Sequence, residues 1–138
     1  MRRGAWVLVA GLGAALGLVS PAGCSGPAVD SDCVAGESCV CEGVGDCEYV
    51  CDGPGCAFTC MDFVACEYHC PDGGCAATCS GTGSCGLACP GNDCTLTCNG
   101  TGSCELTECT AGCTLTCAGL GSGEQTCDDP SCVTNSGL

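Results

Sequence analysis

Residues 47–122 read CEYVCDGPGCAFTCMDFVA from Cys47, CEYHCPDGGCAATCSGTGS from Cys66, CGLACPGNDCTLTCNGTGS from Cys85 and CELTECTAGCTLTCAGLGS from Cys104, four nineteen-residue blocks with no insertion or deletion. A fixed period near twenty residues marks a repeat protein in which each unit buries its face only against its neighbours. Within the blocks a five-residue piece recurs, as in Cys47-Tyr49-Cys51, Cys56-Phe58-Cys60 and Cys94-Leu96-Cys98. A period of two puts those three side chains on one side of a strand and the intervening Glu, Thr, Ala and His on the other. Helices are excluded by the breakers DGPG (52–55), PDGG (71–74), SGTGS (80–84) and NGTGS (99–103), which leave no run long enough to form one. Two strands and two turns per block predict an all-β fold: a two-faced β-solenoid of nineteen-residue coils with Gly-rich turns, stacked about 4.8 Å apart.

Composition requires covalent support for such a stack. The 138 residues include 22 Cys and 24 Gly but only one Trp, two Tyr and two Phe, too few large side chains for an ordinary core. Cysteine at this density in a short chain predicts a disulfide scaffold made in an oxidising compartment. Two cysteines of one strand cannot pair, because four residues of strand span roughly 13 Å and a bridge needs Cα atoms within about 7 Å. The first strand of each block runs out and the second runs back, so within a coil the first and fourth cysteines oppose each other across the interior, as do the second and third. The expected pairs are Cys47–Cys60, Cys51–Cys56, Cys66–Cys79, Cys70–Cys75, Cys85–Cys98, Cys89–Cys94, Cys104–Cys117, Cys109–Cys113 and Cys127–Cys132. Bridges between equivalent cysteines of successive coils are the alternative, and the joint replacement of the outer pair by Gly123 and Ser136 in the last coil favours the first scheme. Cys24, Cys33, Cys39 and Cys41 are left over.

Outside the blocks, residues 33–46 read as an N-terminal capping half-coil and 123–138 as a degenerate C-terminal capping coil. Residues 24–32 read as a flexible tether. Residues 1–23 have the pattern of a secretory signal, with Arg2 and Arg3 ahead of an apolar stretch and Pro21-Ala22-Gly23 at its end. Ala22-Gly23-Cys24-Ser25 resembles the end of a bacterial lipobox. That resemblance implies lipidation of Cys24, a membrane anchor and, from Ser25, an outer-membrane or cell-surface location. Ser20 and Ala22 also fit an ordinary cleavage site, which would instead make the chain secreted or periplasmic, with Cys24 counted among the thiols.

Removing the signal removes Arg2 and Arg3, the only basic residues besides one His, and leaves sixteen carboxylates. Such a surface repels phosphate and excludes nucleic acid as a partner. No Ser/His/Asp set, Cys-x-x-Cys or phosphate-binding loop is present, so the reading is non-enzymatic. Metal–thiolate binding competes for the cysteines, but only Cys39 and Cys41 have the Cys-x-Cys spacing, and an exported chain would hold its sulfurs as disulfides. His69 reads as a solvated neighbour of Glu67.

The outward positions carry two patterns. Glu48, Glu67, Glu105 and Glu124 form a ladder interrupted by Gly86, either a plain solvated face or a site for a divalent cation such as Ca²⁺, with Asp52, Asp72 and Asp93 from the turns. Thr59, Thr78, Thr95, Thr97, Thr114 and Thr116 lie on the second strands. This T-x-T ladder on a disulfide-braced solenoid resembles the hyperactive antifreeze proteins of insects, which implies an ice-binding face, although Thr is also what any exposed strand favours. The sequence therefore predicts a protease-resistant structural, adhesive or interaction scaffold at the cell envelope, with an unidentified protein or carbohydrate partner or end-to-end self-association. The alternatives are binding of Ca²⁺ through the Glu ladder or of ice through the Thr ladder.

Overall fold

The computed structural model of the chain describes residues 30–127, 129–130 and 132–136. The expected signal, Cys24 and the first part of the tether lie outside them. Among the described residues, twelve strands alternate between two sheets. The first sheet contains β1 (Asp30–Val34), β3 (Val44–Asp52), β5 (Phe63–His69), β7 (Cys85–Ala88), β9 (Cys104–Thr107) and β11 (Gly123–Gln125). The second contains β2 (Ser38–Cys41), β4 (Ala57–Cys60), β6 (Ala76–Cys79), β8 (Thr95–Cys98), β10 (Thr114–Cys117) and β12 (Val133–Ser136). All neighbours are parallel, and the nineteen-residue period sets the register: Cys47 pairs with Cys66, Cys66 with Cys85, and Cys85 with Cys104. The chain is the two-faced, disulfide-laddered β-solenoid that its period and turns predict.

Period-two burial fills the space between the sheets. From β3/β4 onward the two inward positions are Tyr49 with Phe58, Tyr68 with Ala77, Leu87 with Leu96 and Leu106 with Leu115, all buried and flanked by cysteines. The rings of Phe58 and Tyr68 stack at 4.4 Å and 7°. Ala77, opposite Tyr68, keeps the interior width constant by setting a small side chain against a large one. At the last level the apolar pair gives way to Gln125 and Thr134. Thr134 Oγ1 donates to Gln125 Oε1 (2.8 Å), and Gln125 Nε2 donates to the Cys113 carbonyl (3.4 Å). A polar lid of this kind closes an apolar stack that would otherwise end in water.

The pairing of the outer cysteines corrects the sequence-based expectation. Cys51–Cys56, Cys70–Cys75, Cys89–Cys94, Cys109–Cys113 and Cys127–Cys132 are bridged within a coil across the short turn. The expected Cys47–Cys60, Cys66–Cys79, Cys85–Cys98 and Cys104–Cys117 are not formed. The bridges are instead Cys41–Cys47, Cys60–Cys66, Cys79–Cys85 and Cys98–Cys104, each spanning six positions with Cα atoms 6.2–6.5 Å apart. The reason is the pitch. A solenoid does not close a coil but climbs by one strand spacing, so the fourth cysteine meets the first of the next coil across the five-residue wide turn. Gly123 and Ser136 are then not partners, and their joint replacement has no bearing on the pairing. Gly123 stands opposite Cys117, which is buried and the one free cysteine among the described residues.

The N-terminal end is also more complete than a half-coil. β1 begins at Asp30, inside the expected tether, and pairs with β3 as Asp30↔Glu48 and Cys33↔Cys51. β2 pairs with β4 as Cys39↔Phe58 and Cys41↔Cys60. The turn between β1 and β2 is one residue shorter than the next, and Glu37 stands where the next coil has Cys56. Cys39 occupies the inward site that later coils give to an apolar side chain, and from there it bridges Cys33. In β9/β10 the short turn is shifted instead: Glu108 takes a left-handed φ of 59° and carries the chain into Cys109 one residue late.

The wide turns explain the glycines. Gly83, Gly102 and Gly121 lie so close to the coil before them that a Cβ on each would run into the carbonyl oxygen of Val64, Gly83 or Gly102 respectively. The same stacking is hydrogen-bonded, with Thr82 N–H donating to the Asp62 carbonyl (2.8 Å) and Thr101 N–H to that of Gly81 (3.2 Å). Backbone cannot yield as a side-chain tip can. Gly102→Ala is expected to cost about 1–3 kcal/mol by overpacking, read as a lowered midpoint in thermal unfolding. An unchanged midpoint would show that the turns are not in contact.

Candidate functional site: two opposite outer faces

Because the inward positions are filled by cysteine and apolar side chains, and no charged side chain is buried among the described residues, recognition chemistry is confined to the outside. The outer face of the first sheet carries the carboxylate ladder. Register aligns Asp30 with Glu48, Glu48 with Glu67, Glu67 with Gly86, Gly86 with Glu105 and Glu105 with Glu124. The four glutamates fall in one column, as expected, one strand apart except at Gly86. That missing side chain opens a shallow groove of about 370 Å³ bordered by Asp46, Glu48, Glu67, Ser84, Ser103 and Glu105.

Like charges one strand apart repel, and Gly86 reduces that repulsion by dividing the column into two groups. His69 brings Nε2 to 3.5 Å from Glu48 Oε1, with both side chains about half exposed. His69 therefore neighbours Glu48 across the strand pair rather than serving only as a solvated companion of Glu67. Asp52, Asp72 and Asp93 are not gathered here. Asp52 lies four strand residues from Glu48, roughly 13 Å, and Asp72 and Asp93 sit in short turns away from the groove. Asp46 takes their place. β3 extends back past Gly45 to Val44, so Asp46 shares a face with Glu48 two residues on. The alternation of Asp46 and Glu48 was the available signal, masked by the turn-like reading of Gly43 and Gly45.

The outer face of the second sheet is uncharged. Its two columns are Ser38, Ala57, Ala76, Thr95, Thr114 and Val133, and Val40, Thr59, Thr78, Thr97, Thr116 and Asn135. The six expected threonines are aligned there, with Thr59, Thr78, Thr97 and Thr116 forming an unbroken run. In a chain with sixteen carboxylates and no positive side chain beyond Arg3 except His69, a whole face without charge sets the two sides of the molecule chemically apart.

Sulfur is concentrated at the two edges of the interior. The Sγ atoms of Cys51, Cys70 and Cys75 lie within 4.8 Å of one another, as do those of Cys60, Cys79 and Cys85 and those of Cys70, Cys89 and Cys94. Each of these is in a bridge, so none carries the thiolate a metal would need while the bridges are intact. The chain matches no protein-family model, no curated protein and no solved structure.

Filling the gap in the ladder tests its electrostatics. A Cβ on Gly86 meets Glu67 Cγ at 3.6 Å, an ordinary contact, so Gly86→Glu fits sterically and adds a charge between two others. It is expected to lower stability by about 0.2–1 kcal/mol at low ionic strength, with the loss recovered in high salt. Equal melting shifts at low and high salt would place the cost in packing instead.

Proposed function

We propose that the chain is an exported, non-enzymatic scaffold, held at the outer membrane or cell surface through a lipid on Cys24 and presenting its two outer faces to a protein or carbohydrate partner. The observation that supports it is the division of labour in the solenoid: sulfur and apolar side chains occupy the interior, and the two outer faces differ as a carboxylate ladder differs from a Thr/Ala sheet. A bridged core is compatible with an extracellular or exported setting. Stapled turns and the lack of any Lys or Arg beyond Arg3 suit a molecule that must survive proteases.

Each bridge closes a loop of only a few residues, worth about 2–3 kcal/mol in the chain-entropy account. Reduction is therefore expected to abolish the strand signal in circular dichroism and to turn a chain that resists elastase for hours into one cleaved within minutes. Equal resistance before and after reduction would contradict a scaffold of this kind. Anchoring is tested by fractionation, with the wild type expected in membranes and Cys24→Ala in the soluble fraction. A soluble wild type would remove the lipid from the proposal.

The groove at Gly86 supports a second reading, binding of Ca²⁺ by oxygen ligands from Asp46, Glu48, Glu67 and Glu105. Calorimetric titration with CaCl₂ is expected to give heat and a raised melting midpoint that Glu67→Gln abolishes. Identical titrations of the two proteins would leave the ladder as a solvated face.

A further inference from the structure

The two sulfur columns differ in parity. Beside the short turns every described cysteine is bridged, from Cys51–Cys56 to Cys127–Cys132. Beside the wide turns four bridges run from Cys41–Cys47 to Cys98–Cys104, and Cys117 is a ninth sulfur with no partner among the described residues. Gly123 creates the odd number. It pairs in register with Cys104, where the next coil would supply a partner, and a Cβ built on it would run into Cys117 Sγ.

Two rungs near the middle of this column are in contact. Cys60 Sγ lies within 4.8 Å of both Cys79 Sγ and Cys85 Sγ, the two sulfurs of the next rung. Cys117 stands over Cys98 in the same register in which Cys79 stands over Cys60. The free thiol of Cys117 is buried, and the register sets it one strand from Cys98, a member of the last rung of this column.

We propose that Cys117 makes the wide-turn column a thiol relay, in which the unpaired sulfur migrates by disulfide exchange toward Cys41. In the first step Cys117 loses its proton to solvent and its thiolate attacks Cys98 Sγ. The Cys98–Cys117 bond forms as the Cys98–Cys104 bond breaks, and Cys104 leaves as the thiolate and takes up a proton. One disulfide is made for each one broken, so no oxidant or reductant is required. Cys104 is in register with Cys85, and its attack there frees Cys79. Cys79 attacks Cys60 and frees Cys66, and Cys66 attacks Cys47 and frees Cys41. Each new bridge joins register partners on adjacent parallel strands, about 4.8 Å apart and inside the Cα range that a disulfide spans. The short-turn column has no thiol to start such a chain and is the internal control.

The test uses the full oxidised chain with Cys24→Ala, so that the column supplies the only thiol. It is incubated without reductant, quenched in acid, labelled with N-ethylmaleimide in denaturant and digested with pepsin for mass spectrometry. At zero time the label is expected on Cys117. Over hours it should spread to Cys104, Cys79, Cys66 and Cys41, faster at pH 8 than at pH 6 because the thiolate is the attacking species, with the short-turn column unlabelled. Adding Cys117→Ser or Gly123→Cys should leave every cysteine unlabelled. Label confined to Cys117 after days would overturn the relay. So would equal spread into the short-turn column, which would mean general unfolding, or scrambling that persists in Cys117→Ser.

Discussion

Hydrogen bonding between parallel strands about 4.8 Å apart sets each residue directly over its equivalent one coil earlier, and the rest of the structure follows from that superposition. Like must stack on like. For apolar groups and sulfur this is favourable, giving the column Leu87–Leu106 on one side, Leu96–Leu115 on the other, and rows of bridges at both edges. For the wide turns it demands residues that allow backbone to approach backbone, hence the glycines at 83, 102 and 121. For charge it is unfavourable, and the Glu ladder is interrupted by Gly86 and flanked by His69.

The disulfides act locally within this frame. Every bridge among the described residues spans four to six positions, so none of them ties distant parts of the chain together. They fix the turns, and fixed turns hold strands of about four residues in register. Cohesion between coils comes from backbone hydrogen bonds and the filled interior. The two ends use different devices: Cys33–Cys39 places a bridge where later coils place apolar side chains, and Gln125 with Thr134 forms a hydrogen-bonded lid.

The strands of the four regular blocks, the two-sheet arrangement and the membership of both outer ladders were legible in the sequence, because period two and period nineteen are properties of spacing alone. The outer disulfide pairs were not. Spacing in sequence makes Cys60 equally a partner for Cys47 or Cys66, and only the climb of the coil distinguishes them. The completeness of the first coil was hidden by a one-residue shortening of its turn, which moves Cys39 out of the cysteine register. Asp46 was hidden because Gly43 and Gly45 look like a turn although β3 begins between them at Val44.

The central claim is that each coil is stapled to the next across the wide turn. Peptide mapping of the freshly purified oxidised protein, digested with pepsin in acid to prevent exchange, tests it directly. The account predicts disulfide-linked peptides joining Cys60 to Cys66, Cys79 to Cys85 and Cys98 to Cys104. Recovery of Cys47 joined to Cys60, and Cys66 to Cys79, would contradict it.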